Sequence, residues 1–169
     1  MRFASLLLAG SLLCASAAAQ QQLRRAPGFA LPDSKQQVHD LYNYRGRWVL
    51  LDFMKTDCPH CKELSPVLEQ AKARYGAKLA VLSVVVPPDT TATAQKYATA
   101  NKITSPFLFD CGQAAFSYIR PSVANPAVEF PHLYVINPEG FIVRDLMGAG
   151  LQAKSLLADL DSLINPKRK

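Results

Sequence analysis

The chain has 169 residues, of which 49% are hydrophobic and 19% charged, with a formal net charge of +6 at pH 7. That is ordinary globular composition for one domain with a core of its own, without internal repeats or low-complexity segments. A sequence pI near 9.3 would admit a nucleic-acid binder, but the basic residues are scattered singly. The one cluster, "NPKRK" at 165–169, reads as a solvated tail, so nucleic acid is not an expected partner.

The first element is "MRFASLLLAGSLLCASAAAQ", with one basic residue, an apolar run from Phe3 to Leu13, and small residues at Ala17 and Ala19. This is the pattern of a secretory signal cleaved after Ala19, giving residues 1–19 as a leader and 20–169 as the working domain. The expected location is extracytoplasmic and periplasmic. An uncleaved membrane anchor is the alternative, although the run falls short of the roughly 20 residues a bilayer span requires. Export removes Arg2, takes the net charge from +6 to +5, and leaves Cys58, Cys61 and Cys111.

After a polar stretch to Arg25, "APGFALPDSKQQVHDLYNYRGRW" predicts two short strands around a Pro-Asp turn, followed by a turn at Arg45–Gly46. "WVLLDFM", 48–54, is a continuous apolar run and predicts a strand buried on both faces. A helix follows from Pro59 to about Tyr75, with Leu64, Val67, Leu68, Ala71 and Tyr75 on one side and Gly76 as its stop. Pro66 lies inside it and predicts a kink, because it lacks an N–H and crowds the preceding turn. "KLAVLSVVV", 78–86, is a second buried strand, ended by Pro87–Pro88. A helix over 89–101, a strand over 106–110 and a short helix over 112–118 come next. "HLYVI", 132–136, and "FIVRDL", 141–146, form a hairpin across "NPEG". Residues 151–164 close the chain as an amphipathic helix. The order predicts an α/β fold, a mixed central sheet with helices on both faces.

"KTDCPHCKEL", 55–64, carries the chemistry. Cys58 falls where the buried strand has ended and the helix begins, where free N–H groups and the helix dipole favour a thiolate. Three residues advance a helix by most of a turn, which returns Cys61 beneath Cys58. Pro59 occupies the first turn, where its missing N–H costs nothing. His60 offers positive charge or a hydrogen bond beside the sulfur. A zinc site needs four ligands and the chain has no second Cys-X-X-Cys; Cys58, Cys61, His60 and His132 would be the set. A structural staple closing so small a loop would constrain the unfolded chain little. A soft-metal module carrying Cu(I) on the two sulfurs is a third class. The redox-active pair is the reading adopted.

"VLLDFMKTDCPHCKELSPVLEQ", followed by "FPHLYVINPEGFIV", resembles the thioredoxin-like superfamily, and within its redoxin group the exported TlpA/ResA type. The opening "APGFALPDSKQQVHDLYNYRGRWVLLDF" resembles that branch's N-terminal β-hairpin extension. The resemblance covers roughly residues 26–164 and implies a thioredoxin fold and thiol–disulfide oxidoreductase activity. It implies Cys58 as the nucleophile, Cys61 as the resolving thiol, and Pro131, after Phe130, as a cis-proline beside the pair. Asp52 sits where thioredoxins carry a buried acid, and its apolar neighbours Leu51 and Phe53 fit a raised pKa and a proton-accepting role toward Cys61. It also implies protein substrates bearing thiols or disulfides, a membrane or soluble redox partner, a monomer, and no bound cofactor or metal. Relatives of this type commonly reduce substrates in cytochrome c biogenesis.

The sequence departs from that pattern in two places. Glu63 stands two residues past Cys61 rather than just after it, so the role of the family's glutamate is not transferred to it. The link 119–130 is longer than usual and is expected to be a surface loop. Pro-His between the cysteines resembles the strongly oxidising DsbA type, whereas the overall resemblance is to reductants. The extremes differ by about 150 mV, near 7 kcal/mol for two electrons, and the direction stays open. Cys111, in "LFDCGQAAF", is expected to be a small buried hydrophobe. The alternative is a resolving role in a peroxiredoxin-like antioxidant cycle with Cys58. Peroxiredoxins, however, place a threonine three positions before their peroxidatic cysteine, and Thr56 precedes Cys58 by two. His39 is expected at the surface, Trp48, Tyr42 and Tyr44 in core or hairpin packing, and His132 either near the site or facing away.

Overall fold

The computed structural model describes residues 23–124, 126–148 and 151–166. The expected leader and its cleavage site at Ala19 lie outside them, as does the end of the basic tail. No helix among the described residues is long and apolar enough to cross a membrane.

Two apolar runs build the centre. Strand β4 (Trp48–Met54) and strand β5 (Leu79–Val85) pair in parallel, with Leu50 opposite Val81 and Asp52 opposite Ser83. Strand β6 (Phe107–Phe109) extends the parallel half beyond β5. On the other side β7 (His132–Ile136) runs antiparallel to β4, and β8 (Phe141–Met147) antiparallel to β7. A two-residue strand β1 (Arg24–Arg25) pairs with the start of β8 and completes the six-strand order β1-β8-β7-β4-β5-β6. Strands β2 (Ala30–Pro32) and β3 (Val38–Asp40) form a separate hairpin, tied to the sheet by a bridge from Asp33 to Leu108. This is the expected α/β architecture with its hairpin extension; β1 is the element the sequence did not announce.

Alternation along β4 separates two layers. Leu50 packs with Leu64, Leu68, Ala71 and Tyr75 of helix α1 (Pro59–Tyr75) and with Leu156 and Leu160 of helix α4 (Ala153–Ile164). Val49, Leu51 and Phe53 face the opposite layer, closed by Ala114 and Tyr118 of helix α3 (Gln113–Ile119), by Tyr134, and by Phe29 and Leu31 of the hairpin. Helix α2 (Thr91–Asn101) starts at a Thr90–Thr93 capping box and packs Ala94 and Tyr97 on Met54, Cys61 and Val85. Helix α1 continues through Pro66 to Tyr75. Leu68 is fully enclosed, so Leu68→Ala is expected to lower unfolding stability by about 2–5 kcal/mol in denaturant titration.

Three expectations need correction. Cys111 is exposed rather than buried. Strand β6 ends at Phe109 and Asp110 turns inward, accepting the N–H groups of Ala114 and Ala115 at 3.1 and 2.8 Å. The chain then swings out through Cys111 to Gly112, whose φ of +105° suits glycine. His39 is half-buried, held between the Tyr44 hydroxyl at 2.6 Å and Asp33 Oδ2 at 3.2 Å. Tyr42 is 69% exposed because it sits on the outer side of a short 3-10 turn, Leu41–Tyr44, under the guanidinium of Arg45.

Candidate active site

Strand β4 delivers the chain to the end of the sheet, and α1 begins at Pro59 with Cys58, four residues after Met54, as its N-cap. The backbone N–H of Cys61 donates to Cys58 Sγ at 3.3 Å. One orphan donor of the helix start is therefore spent on sulfur. The Cys58 thiol donates in turn to the Phe130 carbonyl at 3.5 Å. Pro59 fills the first helical turn and makes no demand for a partner. Cys58 is half-buried, Cys61 is wholly enclosed, and both are free thiols. Reagents from solvent therefore meet Cys58 first.

The peptide bond between Phe130 and Pro131 is cis, and it places the Phe130 carbonyl beside Cys58. The Phe130 ring lies under Lys55 Nζ at 5.2 Å. Pro131 is fixed from behind by the Gly148 N–H, which donates to its carbonyl at 2.9 Å. Segment 120–130, where described, carries no regular secondary structure and is largely exposed.

Asp52 is 0% exposed. It shares the face of β4 that carries Leu50 and Met54, the face toward α1 and Cys61. Neither carboxyl oxygen has a hydrogen-bond partner among the described residues. Burial pushes its pKa up to about 7. Burial likewise pushes the Cys61 thiol well above its ordinary value, with hydrogen bonding to Cys58 and the charge on Asp52 adding to the effect. Two groups that both resist ionisation thus lie on the same side of the sheet beneath the half-buried sulfur.

His60 does not turn toward Cys58. Its side chain is 55% exposed and its Nδ1 lies 3.6 Å from Glu63 Oε2, one helical turn on. His132 is buried on the opposite layer, stacked on Tyr134 at 4.6 Å and bonded through Nε2 to Asp145 at 2.7 Å. The backbone alternation that points Leu133 at α1 sends His132 the other way. Cys58, Cys61, His60 and His132 are therefore not brought together, and no cluster of three His, Cys, Asp or Glu among the described residues is placed to hold a metal.

Several residues around the pair escaped sequence reasoning. Ser65 Oγ bonds the Cys61 carbonyl at 2.9 Å and the Tyr97 hydroxyl at 2.9 Å. Tyr97 is pushed up to about 12 by burial, so it stays a neutral donor. Ser65 was readable as the i+4 neighbour of Cys61; Tyr97 carries no signal until α2 docks. Asp89 accepts from the Thr56 N–H at 2.8 Å, from the Thr56 hydroxyl, and from Thr93 Oγ1 at 2.8 Å. It thereby pins the loop ahead of Cys58 to the start of α2.

Residues 23–144 match the family model described as AhpC/TSA family. Thioredoxin-like protein YneN of Bacillus subtilis is 26% identical over 143 residues, covering 83% of this chain and 79% of that protein. Thiol-disulfide oxidoreductase ResA of the same organism is 23% identical over 141 residues, with coverage of 83% and 74%. Among solved structures, a putative thiol:disulfide interchange protein DsbE from Chlorobium tepidum superposes with a TM-score of 0.70 at 25% identity. That match covers 84% of this chain and 95% of the other.

Proposed function

The chain belongs to the AhpC/TSA family and is a thioredoxin-like thiol–disulfide oxidoreductase of the TlpA/ResA type, and from that premise we propose that it exchanges disulfides with protein clients through Cys58 and Cys61. The single observation that carries this reading is the stacking of a half-buried sulfur, capped by a helix N–H, above an enclosed one. Cys58 attacks one sulfur of a client disulfide; a Cys58–client bond forms and the other client sulfur leaves with the electron pair, taking up a proton. Cys61 then gives its proton to the Asp52 carboxylate and attacks Cys58 Sγ. The Cys58–Cys61 disulfide forms and the second client thiol leaves. The client gains two electrons and the pair loses two; the reverse sequence oxidises a client.

Phe130 and Pro131 form the wall against which a client's extended backbone lies beside Cys58, and Pro59 and His60 form the rim of the other side. With His60 turned to Glu63, its support of the sulfur is smaller than the Pro-His dipeptide alone implies, which favours the reducing direction that the sequence resemblance implies. The protein works as a monomer in an extracytoplasmic compartment, reached by the leader, with a membrane or soluble redox protein as its partner.

Trapping tests the proposal. Cys61→Ser keeps the attacking sulfur and removes the resolving one, so clients are expected to accumulate as Cys58-linked adducts that dithiothreitol releases on non-reducing gels. If the variant carries no more adducts than Cys58→Ser/Cys61→Ser, the proposed exchange is refuted.

A further inference from the structure

At the end of the sheet away from the dithiol, three arginines converge on one cleft of about 210 Å³. Arg25 comes from the end of β1, Arg45 and Arg47 from the turn after Tyr44, and Asn137, Pro138 and Gly140 from the β7–β8 turn form the far wall. Backbone bonds hold these walls together: the Ala26 N–H donates to Gly140 O and the Gly46 N–H to Pro138 O, both at 3.0 Å.

Each guanidinium lies over a ring. Arg25 stands 4.6 Å from the Phe141 centroid, Arg45 5.1 Å from Tyr42, and Arg47 4.9 Å from Tyr44. Stacking uses the flat face of the guanidinium and leaves its edge, with the N–H donors, uncommitted. Among the described residues no carboxylate comes within ion-pair distance of any of the three, none of their side chains makes a hydrogen bond, and the ion pairs involve other residues. Asp40 is the one acid lining the cleft, and one of its oxygens accepts the Tyr42 N–H at 2.8 Å. Arg25 and Arg45 are exposed and Arg47 is half-buried, so water screens the repulsion among the three charges without cancelling it. An oxyanion would relieve it, and guanidinium edges fit phosphate oxygens in paired hydrogen bonds. The volume lies below the roughly 300 Å³ at which pockets for drug-sized ligands begin, which suits a phosphate group rather than a whole nucleotide.

We propose that the cleft between Arg25, Arg45 and Arg47 is a binding site for a phosphate-bearing anion, separate from the dithiol. The seven-residue strand β4 puts about 20 Å between the two ends of the sheet, so a ligand here leaves Cys58 open to clients. The bound group is either a free phosphate compound or a phospholipid headgroup; a headgroup would present the dithiol end to the solvent.

The test titrates the purified protein with pyrophosphate by calorimetry and, separately, sediments it with phosphatidylcholine vesicles with and without phosphatidylglycerol. Pyrophosphate is expected to bind, to raise the melting temperature, and to weaken with added sodium chloride. Arg25→Gln/Arg45→Gln/Arg47→Gln is expected to lose at least about tenfold in affinity, a loss of 1.4 kcal/mol or more. Its rate of insulin reduction, which does not use these residues, stays unchanged and reports that it has folded. If the triple variant fails that control, Arg25→Gln alone, on the open edge strand, is the measured variant and is expected to weaken binding about threefold. Co-sedimentation that needs phosphatidylglycerol and the arginines assigns the headgroup; pyrophosphate binding without it assigns a free phosphate compound. Absence of both, binding undiminished in the folded variant, or binding only to an acidic polypeptide such as polyglutamate overturns the proposal.

Discussion

At pH 8 reduced Asp52→Asn is expected to be more stable than the parent protein, and at pH 4 the advantage is expected to vanish. The carboxyl is 0% exposed with no partner among the described residues, and its pKa rises from 3.8 to about 7 on folding. Below pH 4 the acid is neutral folded or unfolded and its burial makes no pH-dependent contribution. Between about 4 and 7 the native state holds a proton that the unfolded state releases, so stability falls as pH rises. Above 7 the native carboxylate is ionised in its enclosed site and the full penalty is present. That rise corresponds to about 4 kcal/mol, or roughly 10 °C in melting temperature for a domain of this size. Asparagine has no such titration. Denaturant curves for both proteins across this range check it; a difference independent of pH would show that Asp52 does not titrate in an enclosed site. The same substitution removes the proton acceptor for Cys61, and the resolving step is expected to slow by about 10²-fold or more near pH 7. Stability gained and turnover lost in one variant would separate the acid's role from a general disturbance.

Replacing Cys58 carries the largest expected loss. Cys58→Ala leaves Cys61 enclosed, with its thiol pushed up by burial, and no solvent-accessible sulfur at the helix start. Insulin reduction is expected to fall by at least about a thousandfold, to background, because the covalent route has lost its first bond. Cys111→Ser is the matching control: the thiol is exposed and follows a strand on the far side of β5, and disulfide exchange is expected to be unchanged. Measured with hydrogen peroxide in place of insulin, the same pair of variants distinguishes the peroxidase alternative. Peroxide consumption that needs Cys111 would favour it; consumption indifferent to Cys111 would not.

The fold was legible where apolar character is continuous. Residues 48–54 and 79–85 have no polar face to confuse a strand with anything else, and the spacing of Leu64, Leu68, Ala71 and Tyr75 leaves one helical phase. Strand β1 was illegible because two arginines carry no alternation; it exists by pairing with the free edge of β8. In the site, the positions of the two sulfurs and of Pro131 followed from motif and resemblance, whereas the cis state of the Phe130–Pro131 bond was visible only in the structure. His60 and Cys111 did not, because each depends on a competing partner: Glu63 draws the imidazole aside, and Asp110, by capping α3, turns its neighbour out. His132 was undecidable until the register of β7 against β4 set its face.

The strict one-in, one-out order along β4 makes the length of that segment as consequential as its composition. Deleting a single codon between Trp48 and Asp52 would reverse the faces of the residues after it, turning Asp52 toward Tyr118 and Phe53 toward Cys61. Insertions and deletions that this lineage accumulates are therefore expected to fall in stretch 120–130, which ends one residue before Pro131 and crosses no ladder, while the count of residues from Trp48 to Cys58 stays frozen.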